Sequence, residues 1–564
     1  MTRYRSLATR TLVPLGALLL AACSNGARVA ETVPNPLKLD PQPTTAEITE
    51  RDLMTRLYIF ADDSMMGRAT GTEGYRKGTD YIASELARLG VEPAGDEGGY
   101  FQNLPFGRRA IVVREPLTLR GQAVQVGRDV RFALPEWRAR DFGGGLVIFG
   151  GSDPAVLRNG EATNTVVVIV PGADGALPPI GPEGPLRRAS LVLIAHDGEP
   201  PETLARMFRS DSAVGFHPAA MAAEGPMVGL ITTAAAERMF GRGLAAIRPG
   251  TEIAGAPLNG VVLYAVESRP ARNVVGIIPG SDPALRGQFV ALGAHADHVG
   301  YRRGGSVDHD SLRAINAQAW QAQGAYPGLP RLPVEQRQAL TVDLDSLRAL
   351  RPARRDSINN GADDDGSGSM ALLEIAESIA LDSVKPRRSV LFVWHAAEEL
   401  GLQGARYFAN NPAVPRDSII AQVNIDMIGR GGAEDMRNGG PDYLALVGSR
   451  RLSTGLGDLV EQVNAAQPRP LVFDYGLDAD GHPENIYCRS DHYEYARFGI
   501  PVVFMFTGLH GDYHQVTDEP QYIDYPHYTR ITRFTGDVVR ALAAGDARPV
   551  VDKPRPDPAA RCQQ

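Results

Sequence analysis

Apolar positions along the chain fall into three regimes. From residue 46 to about 90 they recur at helical spacing. The stretch "TDYIASELARLG" (79–90) begins at a threonine cap and stops at Gly90, so it predicts a helix. From 115 to about 265 there are short Val- and Ile-rich runs ("GGGLVIFGG", "NTVVVIVPG", "ASLVLIAHDG", "MVGLITT") separated by Gly, Pro and Asp. This pattern predicts a compact β-rich domain with one or two helices. From 266 onward, continuous apolar runs of strand length ("FVALGA", "RRSVLFVW", "AQVNI", "IPVVFMF") alternate with amphipathic segments ("MALLEIAESIA", "ARYFANN", "YTRITRFTGDVVRALAA"). Continuous apolar runs suit strands covered on both faces. Their alternation with helices predicts an α/β fold: a twisted, mostly parallel central sheet flanked by helices. Residues 301–357 break the alternation with an Arg- and Asp-rich stretch, expected to be a partly helical surface insertion.

Bulk properties narrow the classes. The chain has 564 residues, 43% hydrophobic and 22% charged, so a large core is affordable and several domains are expected. The net charge of -8 and the lack of a long basic stripe argue against a nucleic-acid partner.

The first residues have the organisation of an export signal. Arg3, Arg5 and Arg10 precede the apolar "TLVPLGALLLAA", which is short for a membrane span, and "LAAC" follows with Cys23. A small-residue site before a cysteine resembles a bacterial lipobox, implying cleavage before Cys23 and lipid on its sulfur; a plain signal peptide is the alternative. Ser24 after the cysteine favours the outer membrane, facing the periplasm. Residues 23–45 read as a linker. Two further cysteines, Cys488 and Cys562, allow one bridge in an oxidising compartment.

In an open α/β sheet, sites form beyond the carboxyl ends of the strands. The polar residues that follow apolar runs there are His295, Asp297 and His298; Glu398 and Glu399; Asp426; and His510, Asp512, Tyr513 and His514. The Gly-rich stretch "NNGADDDGSGS" adds Asp363, Asp364 and Asp365 ahead of a helix. Each alone reads as a cap or turn residue. Together they form an imidazole and carboxylate set suited to divalent metals such as zinc, with enough groups for two ions sharing a carboxylate. Two adjacent glutamates then suit different tasks: one ligates and the other takes a proton.

In their order, "GAHADHVG", "NNGADDDGSGS", "HAAEELGLQGARYF", "NIDMIG", "RSDHYEYARFGIP" and "HGDYHQVTDEP" resemble the M28 zinc peptidases, a family of co-catalytic aminopeptidases and glutamate carboxypeptidase-like enzymes. The early "MMGRATGTEGYRKGTDYIASELARLGVEPAGD" is also similar to that family. The resemblance implies a zinc-exopeptidase fold holding two zinc ions. His295 and Asp426 would ligate one, Glu399 and His514 the other, and Asp364 both, with a cis Asp364–Asp365 peptide. Glu398 would be the general base, Asp297 would orient a ligand ring, and Tyr513 would donate to the tetrahedral oxyanion. His298 and His492 read as supporting or packing residues. His395 departs from the family pattern and has no assigned role, and His510 reads as a rim residue or a substrate contact.

The domain expectation is a signal peptide (1–22), linker (23–45), first part of the peptidase domain (46–114), a β-rich domain resembling a protease-associated domain (115–265), the M28-type catalytic domain (266–545, insertion 301–357) and a tail (546–564). The β-rich part would serve as a lid or as a stabilising insertion. The expected activity is that of an aminopeptidase acting on peptides with a free N-terminus. A carboxypeptidase or other amidohydrolase, a glutaminyl cyclase and a non-catalytic binding protein are the alternatives.

Overall fold

A nine-stranded sheet forms the centre of the fold in this computed structural model. The described residues are 35–564, apart from positions within 134–141, 155–163, 173–183, 200–225 and 325–338, and residue 351. The expected leader and Cys23 lie outside them.

The main strands are β1 (Arg272–Ile278), β2 (Phe289–His295), β3 (Ser389–His395), β4 (Ile419–Ile425), β5 (Tyr443–Val447), β6 (Val472–Asp474) and β7 (Val502–Phe506), in spatial order β1-β3-β2-β4-β7-β5-β6. The middle four, β3-β2-β4-β7, run parallel as the alternation predicts. Antiparallel pairing enters at β1 and between β7 and β5. Glu92–Pro93 and Phe101–Asn103 add short antiparallel strands beside β1.

The two-residue period divides each buried strand between two cores. Val390, Phe392 and Trp394 of β3 join Val290, Leu292 and Ala294 of β2 on one face. Leu391, Val393 and Ala291 join the opposite core. The first face is covered by α1 (Glu50–Phe60), α2 (Glu73–Arg88), α3 (Gly368–Leu381) and α4 (Tyr525–Ala544). Among the described residues, no helix is long and apolar enough to cross a membrane.

Helix α2 starts six residues before the expected threonine. Thr72 is the cap, its side chain accepting from the Tyr75 amide. Thr79 lies inside the helix and donates back to the Tyr75 carbonyl. Gly74 and Gly78 disguised the first turns as loop. They are there for close approach: a Cβ on Gly78 would meet Phe60 and the Arg68 side chain at 3.2 Å. The end at Gly90, with φ of +69°, is where the sequence predicts it.

Between residues 106 and 268 the chain leaves this sheet. Long strands Phe106–Leu119 and Leu258–Ser268 pair antiparallel. A separate six-stranded sheet holds Val147–Gly151, Val166–Ile169, Leu191–Ala195 and Met227–Ile231 in parallel, and helix Thr233–Phe240 follows them. The 301–357 excursion is pinned at its base by two short ladders, Gly300–Tyr301 with Ile358–Asn359 and Val307–Asp308 with Arg355–Asp356. Its helix His309–Ala322 is more than a surface feature: Trp320 donates to the Asp435 carbonyl at 2.6 Å.

Candidate metal centre

Three neighbouring parallel strands end at one place. β2 ends in His295, β3 leads into Glu398 and Glu399, and β4 leads into Asp426; the loop after β7 brings Tyr513 and His514. Asp364 arrives from the turn ahead of α3, and its peptide to Asp365 is cis, as the resemblance implies.

Asp364 stands between two groups. Its Oδ1 lies 3.2 Å from His295 Nε2, and its Oδ2 lies 3.0 Å from His514 Nε2. On the first side, Asp426 Oδ1 is 3.7 Å from His295 Nε2. On the second, Glu399 Oε2 is 2.9 Å from His514 Nε2. Glu398 lines a pocket with Asp364 and Asp426, with Oε2 4.0 Å from His295 Nε2.

The residues fit metal ions on a direct test. His295 Nε2, Asp364 Oδ2, Glu399 Oε1, Asp426 Oδ1 and His514 Nε2 are buried atoms with no hydrogen-bond partner among the described residues. Buried polar atoms of ordinary protein are paired. Orphaned nitrogen and oxygen atoms converging from five side chains are the donor set zinc takes.

The surroundings aim these ligands. His295 Nδ1 lies 3.0 Å from the Asp297 carbonyl, which turns Nε2 toward Asp364. The resemblance gave this orienting task to Asp297, and here the backbone oxygen performs it. The Asp297 carboxylate sits 3.8 Å from Nδ1 and instead accepts from Thr70 Oγ1 at 2.9 Å and from the Glu398 amide at 3.1 Å, fixing the base's backbone. Asp365 accepts the amides of His295, Gly368 and Met427, so its carboxylate binds backbone. Asp518 accepts the amides of Asp363 and Asp364.

Electrostatics follow from burial and proximity. Burial, then Glu399 and Asp426, hold the Glu398 carboxyl well above the ordinary range against the pull of His295. Burial raises Asp297 to about 6. His514 is pushed down by burial, but the close Asp364 and Glu399 carboxylates outweigh this and carry it, in the metal-free site, to about 10.

The other histidines separate cleanly. His510 is buried 3.2 Å from Asp363 Oδ2, which places it beneath the site rather than at the rim or against substrate. His492 is packed on Phe504 at 4.8 Å and on Tyr487. His395 lies behind the strands, 2.9 Å from the Tyr495 hydroxyl. His298 is inside the centre, with Nδ1 2.9 Å from Glu399 Oε1. Tyr513 lines the pocket, its hydroxyl 3.4 Å from Arg489.

Three supporting residues escaped the sequence reading. Arg68, fully buried, donates to the carbonyls of Phe60, Ala296, Asn360 and Gly361, tying the end of α1 to the His295 and Asp364 loops. Thr70 and Ser490 hold the Asp297 and Asp426 carboxylates. A further cluster, His309, Asp356 and Glu519, lies at the foot of the insertion, where Arg354 already pairs with Glu519 at 3.0 Å.

Residues 331–539 match Peptidase family M28. The matched segment carries Asp364, Glu398, Glu399, Asp426, Tyr513 and His514; His295 precedes it. The chain is 31% identical over 169 residues to leupeptin-inactivating enzyme 1 of Streptomyces exfoliatus, covering 29% of this chain and 33% of that one. It is 29% identical over 213 residues to leucine aminopeptidase 1 of Ajellomyces capsulatus, covering 34% and 52%. The chain thus spans a third to a half of the curated relatives it matches. Among solved structures, an aminopeptidase from Aneurinibacillus sp. strain AM-1 aligns over 90% of this chain and 98% of its own, with 16% identity and a TM-score of 0.43.

Proposed function

We propose that the protein is a zinc-dependent exopeptidase, an aminopeptidase that releases N-terminal residues from peptides, and that His295, Asp364, Asp426, Glu399 and His514 would hold two zinc ions. The observation that carries this is the pairing of two imidazole–carboxylate groups across one aspartate, with Glu398 4.0 Å from His295 and outside both pairs. The curated relatives that carry the names leucine aminopeptidase and leupeptin-inactivating enzyme support it.

Bound zinc supplies a Lewis acid for the scissile carbonyl and acidifies the attacking water. Glu398 takes the proton from that water and delivers it to the leaving amine. The Tyr513 hydroxyl, held near Arg489, donates to the oxyanion as the tetrahedral carbon forms. Met427, Ile486, Phe504, Phe506 and Leu509 line the same pocket, so an apolar first side chain fits there. The carboxylates around Asp426 and Glu398 attract a free ammonium terminus.

The test is a mixture of peptides with free and N-acetylated termini, followed by mass spectrometry before chelation, after it and after return of zinc. Zinc-dependent loss of single residues from free termini alone supports the reading. Shortening from the carboxyl end in both sets contradicts it.

We also propose export and anchoring at the envelope through lipid on Cys23, toward the periplasm. The leader pattern supports this, as does the Cys488–Cys562 disulfide, a bond of oxidising compartments.

A further inference from the structure

We infer that His298 is a fourth protein ligand of the second metal position, through Nδ1. The two halves of the centre then differ: His298, Asp364, Glu399 and His514 close one, while His295, Asp364 and Asp426 leave the other open. The inference rests on the two-metal reading above and adds a ligand that the M28-type set does not contain.

The first observation is an unmet need. The His298 side chain is fully buried, and neither ring nitrogen has a hydrogen-bond partner among the described residues. A neutral imidazole offers one donor and one acceptor, and leaving such groups buried and unpaired is costly. An ion on Nδ1 satisfies the acceptor.

The second observation is geometric. One atom each from His298, Asp364, Glu399 and His514 lie within 4.8 Å of one another. His298 Nδ1 is 2.9 Å from Glu399 Oε1 and 3.6 Å from Asp364 Oδ2. His514 Nε2 is 3.0 Å from Asp364 Oδ2 and 2.9 Å from Glu399 Oε2. Tetrahedral zinc with bonds of about 2.0–2.2 Å separates its ligand atoms by roughly 3.3–3.6 Å. The four side chains stand close to that spacing, and small adjustments complete it.

The third observation is how the ring is held. The His298 amide donates to the Arg68 carbonyl, and the His514 ring meets it edge-on at 5.5 Å. Gly361 backs it, and a Cβ there would fall 2.5 Å from His298 Cγ. The chain keeps a glycine where the imidazole must stand.

A position closed by four protein ligands holds zinc as structure, whereas three ligands leave room for chemistry. Substrate and water therefore meet the His295–Asp426 side, which Glu398 also faces.

The test uses the full chain. Zinc X-ray absorption on the doubly loaded wild type should show three imidazoles over two ions; two imidazoles would overturn the inference, and this measurement needs no variant to fold. Zinc titration of the metal-free protein against a chelator should show that His298→Gln weakens the tighter ion by about 10–100-fold or more and leaves the other within about twofold. An unchanged tighter affinity in folded His298→Gln would also overturn it. A wild type that holds fewer than two ions would remove the two-metal reading itself, and the inference with it.

Discussion

Ser490 donates a 2.8 Å hydrogen bond to Asp426 Oδ2, so that Oδ1 is the oxygen left facing His295. Ser490 is itself held by Asn424 at 2.9 Å, and Asn424 by Gln422. Ser490→Ala removes the bond that leaves Oδ1 facing the proposed zinc position. Partners of this kind are worth about 10–100-fold in metal affinity or activity. Chelator competition should show a loss of that size for one zinc ion, with thermal stability little altered.

His492 provides a pH handle away from the ligands. Burial pushes its pKa down to about 3. Between about pH 6.5 and 3 the unfolded imidazole binds a proton that the folded one refuses, so this residue costs stability as pH falls through that window and has no effect above it. At pH 5 the cost is about 2 kcal/mol. His492→Phe, stacking on Phe504, should recover about that amount at pH 5 relative to wild type, and much less at pH 7. Urea unfolding of both proteins at the two pH values checks this.

The Cys488–Cys562 disulfide joins positions 74 residues apart and ties the tail beside Arg489 and Ser490. Cross-linking a loop of that length stabilises by about 2–4 kcal/mol. Cys562→Ser should lower the urea midpoint accordingly. Reductant should produce the same drop in wild type and none in the variant.

The parallel middle of the sheet was legible because strands buried on both faces are unbroken apolar runs, and Val390 to Trp394 shows this plainly. The residues that converge at the centre were legible because His295, Glu398, Glu399 and Asp426 follow strand ends. The start of α2 was not, because Gly74 and Gly78 serve packing and weaken the helical signal. Arg68 was hidden too: one arginine in "MMGRATG" gives no sign that four distant carbonyls will accept from it. The task of Asp297 was half legible. Its spacing from His295 pointed to the right neighbour, but only coordinates distinguish a carbonyl at 3.0 Å from a carboxylate at 3.8 Å.

The central claim is that Glu398 moves the proton while its neighbours hold the ions. Glu398→Gln keeps the side chain's size and removes its basicity. Peptide turnover and bound zinc should be measured on one preparation. The account predicts that kcat falls by about 10²–10⁴-fold with both zinc ions retained. Wild-type kcat, or loss of an ion together with the activity, would contradict it.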